Sequence, residues 1–302
     1  MNFYQMQPSD MGPNVDSRVH LIIVNYFSSE MVEQLLSAID PAYFGSICVV
    51  DNSVNATEAF NLKSCCNGKP VSIVTAPDNI GFGAAVNLGA NSLVMDSSDV
   101  LWILNPDTLP AVDCAENLLR TMVAEQASFA SPVITTGVGG AEIWFSGGVI
   151  DSKKGRTEHS HSPVEDVVCC NFLTGAALMV CVSAWRQLNG FREDLFMYWE
   201  DADLSIRAAK AGFKLIVDPG STVWHAVGAT SSQEGRSSLF YYYMQRNRLI
   251  VLREEFGLIY CLHPYRMRES LIMSLRVVRE PNGGFAKFGA SIRGFAAGLF
   301  AA

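Results

Sequence analysis

Charged side chains are scarce in this 302-residue chain: Asp, Glu, Lys and Arg make up 17% of it, against 49% hydrophobic residues. That balance excludes a largely disordered polar chain and leaves ample material for a core. The first eighteen residues lack the apolar centre of an export signal, and their prolines and glycine oppose a helix, so residues 1–18 are expected to form a flexible leader. Long apolar runs are also missing. The one extended stretch without charge, residues 167–185, is interrupted by Asn171, Thr174, Gly175 and Ser183, and suits a buried strand better than a membrane helix. The eight cysteines lack zinc-knuckle spacing, since Cys65 and Cys66, like Cys169 and Cys170, are adjacent. Without an export signal they read as reduced thiols of a cytoplasmic protein.

Two nucleotide-binding devices are absent as well. A dinucleotide site needs a glycine-rich turn after the first strand, where only glycine lets the backbone approach a pyrophosphate; here that turn is Tyr26-Phe27-Ser28-Ser29. No phosphate-binding loop ending in Gly-Lys-Ser or Gly-Lys-Thr occurs either. Residues 1–235 hold 12 Lys and Arg against 26 Asp and Glu, whereas residues 236–302 hold 10 against 4. The acidic body argues against nucleic acid as a partner. The basic, aromatic-rich tail fits either a peripheral contact with an anionic membrane or an ordinary solvated helix face.

What is present is a strand-helix alternation. Apolar runs at 19–26, 46–53, 71–77 and 99–107 each read as a buried parallel strand, with helical patterns at 30–39, 56–62 and 81–94 between them and another at 111–126. This predicts an α/β fold with a Rossmann-like, mostly parallel central sheet flanked by helices. Residues 135–170 change to glycine-rich, His- and Ser-containing sequence suited to hairpins and a mobile loop. A strand is expected through 174–182, a short helix ending at Gly190, a helix over 200–211 closed by Gly212, and two last short strands at 214–219 and 221–225. From Ser237 onward the pattern is helical. The organisation expected is a leader at 1–18, a main domain at 19–235 with halves at 19–134 and 135–235, and a tail at 236–302.

In open α/β sheets ligands gather at the carboxyl ends of the strands. The first four exits carry Asn25-Tyr26, Asp51-Asn52-Ser53, Asp78-Asn79-Ile80-Gly81-Phe82 and Asn105-Pro106-Asp107. Asp51 could accept from a ribose or base, or simply cap its own turn. Asp107 follows a proline that fixes the chain, which suits rigid presentation of one carboxylate to a divalent cation shared with a substrate diphosphate. Glu200, Asp201 and Asp203 open a helix; carboxylates there favour the helix dipole, but the apolar lead-in Phe196-Met197-Tyr198-Trp199 could desolvate one of them as a general base requires. His225 ends a strand, where a lone histidine is more often a plain polar contact than a ligand.

Taken in order, LIIVNY, VVDNS, DNIGFGAAVNLG, LNPDT, SGGVID, FLTGAALMV, GFREDLFMYWEDADLSIRAAKAGFK, VWH and YYYMQRNRLIVLREEF resemble the family 2 glycosyltransferases of GT-A fold, in particular their bacterial rhamnosyltransferase-like branch. The likeness runs from about residue 19 to residue 256. It implies that Asp51 meets the nucleotide base and that Asn79, Gly81, Phe82 and Asn87 line the nucleotide pocket, with Asn25, Tyr26 and Trp199 beside them. Asp107 matches the metal-binding aspartate of a DxD motif whose first aspartate is here Asn105, so Mg²⁺ or Mn²⁺ would lean on the diphosphate and on His225. Asp201 matches the catalytic base, tuned by Glu200 and Asp203, and Thr174 and Gly175 would shape the sugar and acceptor site.

The activity implied is inverting transfer of a sugar, with dTDP-L-rhamnose the best guess for the donor, to a saccharide or polyprenyl-diphosphate-linked acceptor. Arg246, Arg248, Arg253, Arg266 and Arg268 could receive such a diphosphate or could pack on the domain. Rival readings are a UDP-hexose-using enzyme of the same family, a sugar-nucleotide pyrophosphorylase, and a non-catalytic glycan- or partner-binding homologue. The pyrophosphorylase is opposed by the missing basic, glycine-rich loop.

Overall fold

The computed structural model describes residues 12–226 and 235–301. Its first half is the alternation the sequence predicts: β1 (Val19–Asn25), α1 (Ser29–Ala38), β2 (Phe44–Asp51), α2 (Ala56–Cys66), β3 (Val71–Thr75), α3 (Phe82–Ser92) and β4 (Val100–Leu104). Then come β5 (Thr108–Pro110), α4 (Cys114–Ala124), β6 (Phe129–Thr136), β7 (Glu142–Phe145), β8 (Gly148–Asp151), β9 (Arg156–His159), β10 (Val168–Cys169) and β11 (Ala177–Cys181). The chain continues through α5 (Val182–Gln187), α6 (Glu200–Lys210) and β12 (Leu215–His225). It ends in helices α7 (Ser238–Phe256), α8 (Leu258–Cys261), α9 (Pro264–Arg276) and α10 (Gly284–Phe300).

The main sheet has the order β10-β12-β6-β11-β4-β1-β2-β3. β1 lies between β2 and β4, parallel to both, and all seven of its residues are buried, which is why its sequence is continuously apolar instead of alternating. β3 is parallel but half exposed, because it forms the edge; the expectation of four fully buried strands fails there. β11 runs antiparallel to both β4 and β6, so a reversed strand divides the parallel set β3-β2-β1-β4 from the parallel pair β6-β12. Helix α3 can sit close on the sheet because it carries small residues: a Cβ on Gly89 would lie 2.8 Å from Val50 Cγ2 and 3.3 Å from Ile22 Cγ2.

Two further expectations change, and one holds. The two short strands at 214–219 and 221–225 are one strand, β12, whose pairing with β6 shifts between Asp218 and Thr222. Pro219 has no N–H to give the ladder there, and Asp218 absorbs the irregularity by accepting from Gly220 N at 3.0 Å and Ser221 Oγ at 2.5 Å. The uncharged stretch 167–185 forms β10, β11 and the start of α5, and among the described residues no helix is long and apolar enough to cross a membrane. Residues 1–11 of the expected leader lie outside the described residues. Its end is tied down, with Ser17 Oγ donating to Ser98 O and Arg18 paired with Asp96 and Asp99.

Candidate functional site

Asp107 and His225 are far apart in sequence and meet through backbone register. β5 pairs antiparallel with β12 so that Thr108 faces His225, and Ala226 N donates to Asp107 O at 3.0 Å. That arrangement brings His225 Nε2 to 3.1 Å from Asp107 Oδ1. Thr108 closes the preceding turn by donating to Asn105 O from both its amide and its hydroxyl. The edge of Trp144 meets the histidine ring, and His225 Nδ1 is buried with no partner among the described residues.

The Asn105 amide in turn donates to Ala176 O at 2.9 Å, next to Gly175, whose own N–H donates to Asp201 Oδ2 at 3.1 Å. The N–H of Ala202 also donates to Asp201, to Oδ1 at 2.8 Å. A Cβ on Gly175 would come within 3.3 Å of the Phe82 ring and 3.7 Å of Asp201 Cβ, so Phe82, Gly175 and Asp201 are immediate neighbours. Thr174 is buried beside them. Hence the ends of β4 and β12, the turn before β11 and the start of α6 share one rim.

The strand-end residues of β1 and β2 form a second, contiguous part of that rim. Asp51 is buried and accepts from Asn25 Nδ2 at 3.3 Å and from Ser53 N at 3.1 Å. The side-chain Oδ1 of Asn25 accepts from Ser28 N and Ser28 Oγ, fixing the turn that leaves Tyr26 exposed. Asn52 Nδ2 donates to Asn79 Oδ1 at 3.0 Å, and Asn79 Oδ1 also accepts from Gly81 N. Gly81 has φ +85°, and a Cβ there would lie 2.2 Å from the Phe196 carbonyl oxygen, so both its conformation and its contact require glycine. Phe82 N donates to that same carbonyl at 2.8 Å, which joins the start of α3 to the loop before α6.

That loop is strained. Phe196, Tyr198 and Trp199 have φ of 59°, 68° and 71°, a left-handed conformation that costs each aromatic residue about 1–3 kcal/mol and persists only where surrounding structure imposes it. Asn247, buried on α7, imposes it: its amide lies 2.6, 2.8 and 2.8 Å from the carbonyl oxygens of Leu195, Met197 and Tyr198. Reading the sequence missed Asn247, because one asparagine in a helical, arginine-rich stretch carries no local signal. The positive-φ run was hidden for a related reason, since aromatic residues are not the usual marks of a turn.

Trp199 is buried at this bend, immediately before the carboxylates. Burial, reinforced by the charges of Asp201 and Asp203, pushes Glu200 up to about 8, and its Oε2 is buried with no partner. Asp201 is also raised by burial, against the pull of the N–H groups of Gly175 and Ala202. Both carboxyls are thus pushed upward by burial, Glu200 further through the charges of Asp201 and Asp203 beside it.

Two expected site residues are turned elsewhere. Asp203 is bound to Arg207 at 2.7 Å and faces Arg192 at 3.6 Å, bracing α6 against the preceding loop, while its charge still helps to raise Glu200. Asn87 spends its amide on the Phe191 carbonyl, the Phe191 N–H and Glu193, so it clamps that same loop to α3. The expected tail arginines mostly cap the protein's own carbonyls. Arg248 is buried and donates to Gly155 O and Arg266 O, Arg253 reaches Leu299 O, Arg246 reaches Asp194 O and Arg266 reaches Ser152 O.

Among the described residues no group of three or more His, Cys, Asp or Glu is assembled for a cation, so Asp107 and His225 are the donors available at the rim. A carboxylate and an imidazole 3.1 Å apart, the latter with its other nitrogen buried and unpartnered, fit a divalent cation, which Asp107 and His225 would hold between them.

Comparison with known proteins identifies the family to which this strand-end rim and acidic segment belong. The family model for glycosyl transferase family 2 matches residues 21–174, and that for glycosyl transferase family group 2 matches residues 100–271. Each span covers more than half of the chain, which therefore belongs to glycosyltransferase family 2.

Curated relatives include the low-salt glycan biosynthesis hexosyltransferase Agl10 of Haloferax volcanii, 25% identical over 205 residues, covering 65% of this chain and 62% of that protein. Another is the N-acetylglucosaminyl-diphospho-decaprenol L-rhamnosyltransferase of Mycobacterium tuberculosis, 37% identical over 84 residues, 28% of this chain and 25% of that protein. The chain thus spans less than two thirds of the length of either relative. Similar solved structures are GalNAc-T7 with UDP, GalNAc and Mn²⁺ (TM-score 0.63, 16% identity, 91% of this chain and 54% of that one). A second is S. aureus TarS with UDP-GlcNAc (TM-score 0.55, 11% identity, 92% of this chain and 71% of that one). These likenesses show the fold, which is GT-A, with a helical C-terminal region.

Proposed function

We propose that the chain is an inverting, cation-dependent glycosyltransferase that moves a sugar from a nucleotide donor to a hydroxyl of a glycan or lipid-linked saccharide. The observation that carries this reading is the shared rim, where Asp107 with His225 stands one hydrogen-bonded step from the Gly175 turn that holds Asp201. Residues 19–134 serve the nucleotide and 135–235 the acceptor, with 236–302 as the tail. Asp51 and its Asn25–Ser53 network, with Asn79, Gly81 and Phe82, receive the nucleotide. Asp107 and His225 would hold Mg²⁺ or Mn²⁺, which supplies charge neutralisation at the departing diphosphate.

Asp201 accepts the proton of the acceptor hydroxyl as its oxygen bonds to the anomeric carbon, and the bond from that carbon to the nucleoside diphosphate breaks on the opposite face. One displacement inverts the configuration, by the same separation of base and leaving group that single-displacement glycosidases use. Glu200, raised by burial and by the charges of Asp201 and Asp203, tunes the base from the neighbouring position.

For the donor we favour dTDP-L-rhamnose, supported by the name of the mycobacterial relative, over a UDP-hexose. The same name supports a polyprenyl-diphosphate-linked acceptor, with the tail on the membrane side. An assay for release of nucleoside diphosphate, run with dTDP- and UDP-sugars and with and without EDTA, tests the reading. Release that depends on acceptor and is lost on chelation supports it; no release with any donor, or release indifferent to EDTA, overturns it.

A further inference from the structure

Helix α10 leaves a broad apolar face uncovered. Its inward stripe is mostly small residues with Lys287, and Gly294 and Gly298 lie so close to α7 that a Cβ would stand 2.2 Å from Tyr242 O and 2.4 Å from Arg246 O. Phe295 and Leu299 are partly buried against the core, but Phe285 is 99% exposed and Phe300 79%, with Phe288 and Ile292 exposed between them at helical spacing. On α9, Leu271 and Leu275 are exposed in the same way. A helix in water buries such side chains and shows its small ones, so this arrangement suits an apolar surround.

The charge around that surface is of one sign. All four acids of the tail are paired within the protein: Glu254 with Arg192, Glu255 with Lys210, Glu269 with Arg156 and Glu280 with Lys287. In contrast Arg268, Arg276, Arg279 and Arg293 are exposed and have no ion-pair partner among the described residues. Arg268 also lines a cavity of about 460 Å³ whose other walls include Lys153, Lys154, His263 and Arg266, a cationic recess with room for a phosphate group.

From this combination we infer that α9 and α10 form a monolayer-docking face for an anionic lipid bilayer, with the outward aromatic residues entering the acyl boundary and the unpaired arginines meeting headgroup phosphates. The occupant is a bilayer and not a second copy of the chain, because two copies meeting through this face would oppose four unpaired arginines to four more. Because no described helix is long and apolar enough to cross, the contact lies on the surface. The inference deepens the placement of the tail on the membrane side and uses none of the residues assigned to chemistry.

The test is flotation of the full chain, without donor or acceptor, on vesicles of phosphatidylcholine alone and on vesicles containing about one third phosphatidylglycerol. Binding is expected to the anionic vesicles only and to weaken with salt. Arg276→Gln with Arg279→Gln should reduce partitioning roughly twenty-five-fold, at about fivefold per arginine. Phe285→Ser with Phe288→Ser should also release the protein, and because all four positions are exposed, unchanged melting temperatures will show intact folding. Equal binding to both vesicle types, undiminished binding by both double variants, or a self-association that Phe285→Ser abolishes while vesicles stay bare overturns the inference. Failure of the parent chain to float on either vesicle type, with transfer intact on a water-soluble acceptor, counts against this face alone. Lost transfer with flotation intact counts against the catalytic assignment alone.

Discussion

Asn247 on α7 donates its side-chain amide to the carbonyl oxygen of Tyr198 at 2.8 Å, so a helix of the C-terminal tail holds the bend that delivers Glu200 and Asp201. Removing that amide leaves buried carbonyls without a donor and lets the positive-φ loop relax. Asn247→Ala should lower stability by about 1–3 kcal/mol, an effect of unsatisfied buried groups. It should also lower kcat roughly a hundredfold through loss of position, with a smaller change in donor affinity. Denaturant melts together with separate kcat and KM values check this; full activity would remove Asn247 from the positioning of the site.

Gly81→Ala combines a forbidden contact with a forbidden conformation. At φ +85° and 2.2 Å from the Phe196 carbonyl, the methyl group forces the start of α3 away from the loop before α6. A loss of more than about 2 kcal/mol in unfolding free energy is expected, from left-handed strain and a backbone clash together. A variant as stable as the parent would mean that the two segments are not packed as described.

Asp201→Asn keeps the shape of the side chain but removes its capacity to take a proton. Transfer should fall by at least about two orders of magnitude while calorimetric donor binding stays within a fewfold of the parent. Turnover at the parental rate would end the assignment of Asp201 as base.

The Asp107–His225 pair predicts the cation response. Asp107→Ala and His225→Ala should each shift the Mg²⁺ or Mn²⁺ titration of activity to roughly tenfold higher concentration or beyond, as loss of one of two protein ligands implies. Titration curves superposable on the parent in both variants would refute the metal site.

Glu200 gives a pH dependence of stability with a definite sign. Its folded value, about 8, lies above its ordinary value of 4.5, so between those limits the folded state binds a proton that the unfolded chain has lost. Its contribution is therefore complete below about pH 4.5 and is lost progressively as pH rises towards 8. Glu200→Gln, which cannot ionise, should be more stable than the parent by a few kcal/mol at pH 8, and the gap should close on acidification towards pH 4. A gap of the same size at both pH values would show that Glu200 does not titrate in this range.

Much of the site was legible because it sits where sequence patterns are strongest. Asp51 and Asp107 each follow an apolar run, and strand ends in an α/β sheet are where ligand groups collect. Asn87 and Asp203 have side-chain partners that the sequence does not reveal, for a common reason. Both are polar residues within candidate segments, and only the fold shows that their side chains turn away from the rim to brace the loop at 190–193. The single continuous β12 was also hidden, because Pro219 and Gly220 look like a break between strands until β6 supplies a partner across the irregularity.

The sequence by itself determined the alternation of strands and helices, the small-residue face of α3 and the run of carboxylates at the start of α6, since these follow from local periodicity and from what helix ends and strand ends tolerate. Tertiary structure alone decided that Asp107 meets His225 and that Asn247 holds the bend before Glu200. Both depend on pairings between segments tens of residues or more apart, fixed by sheet register and helix packing, and no local pattern encodes such a pairing.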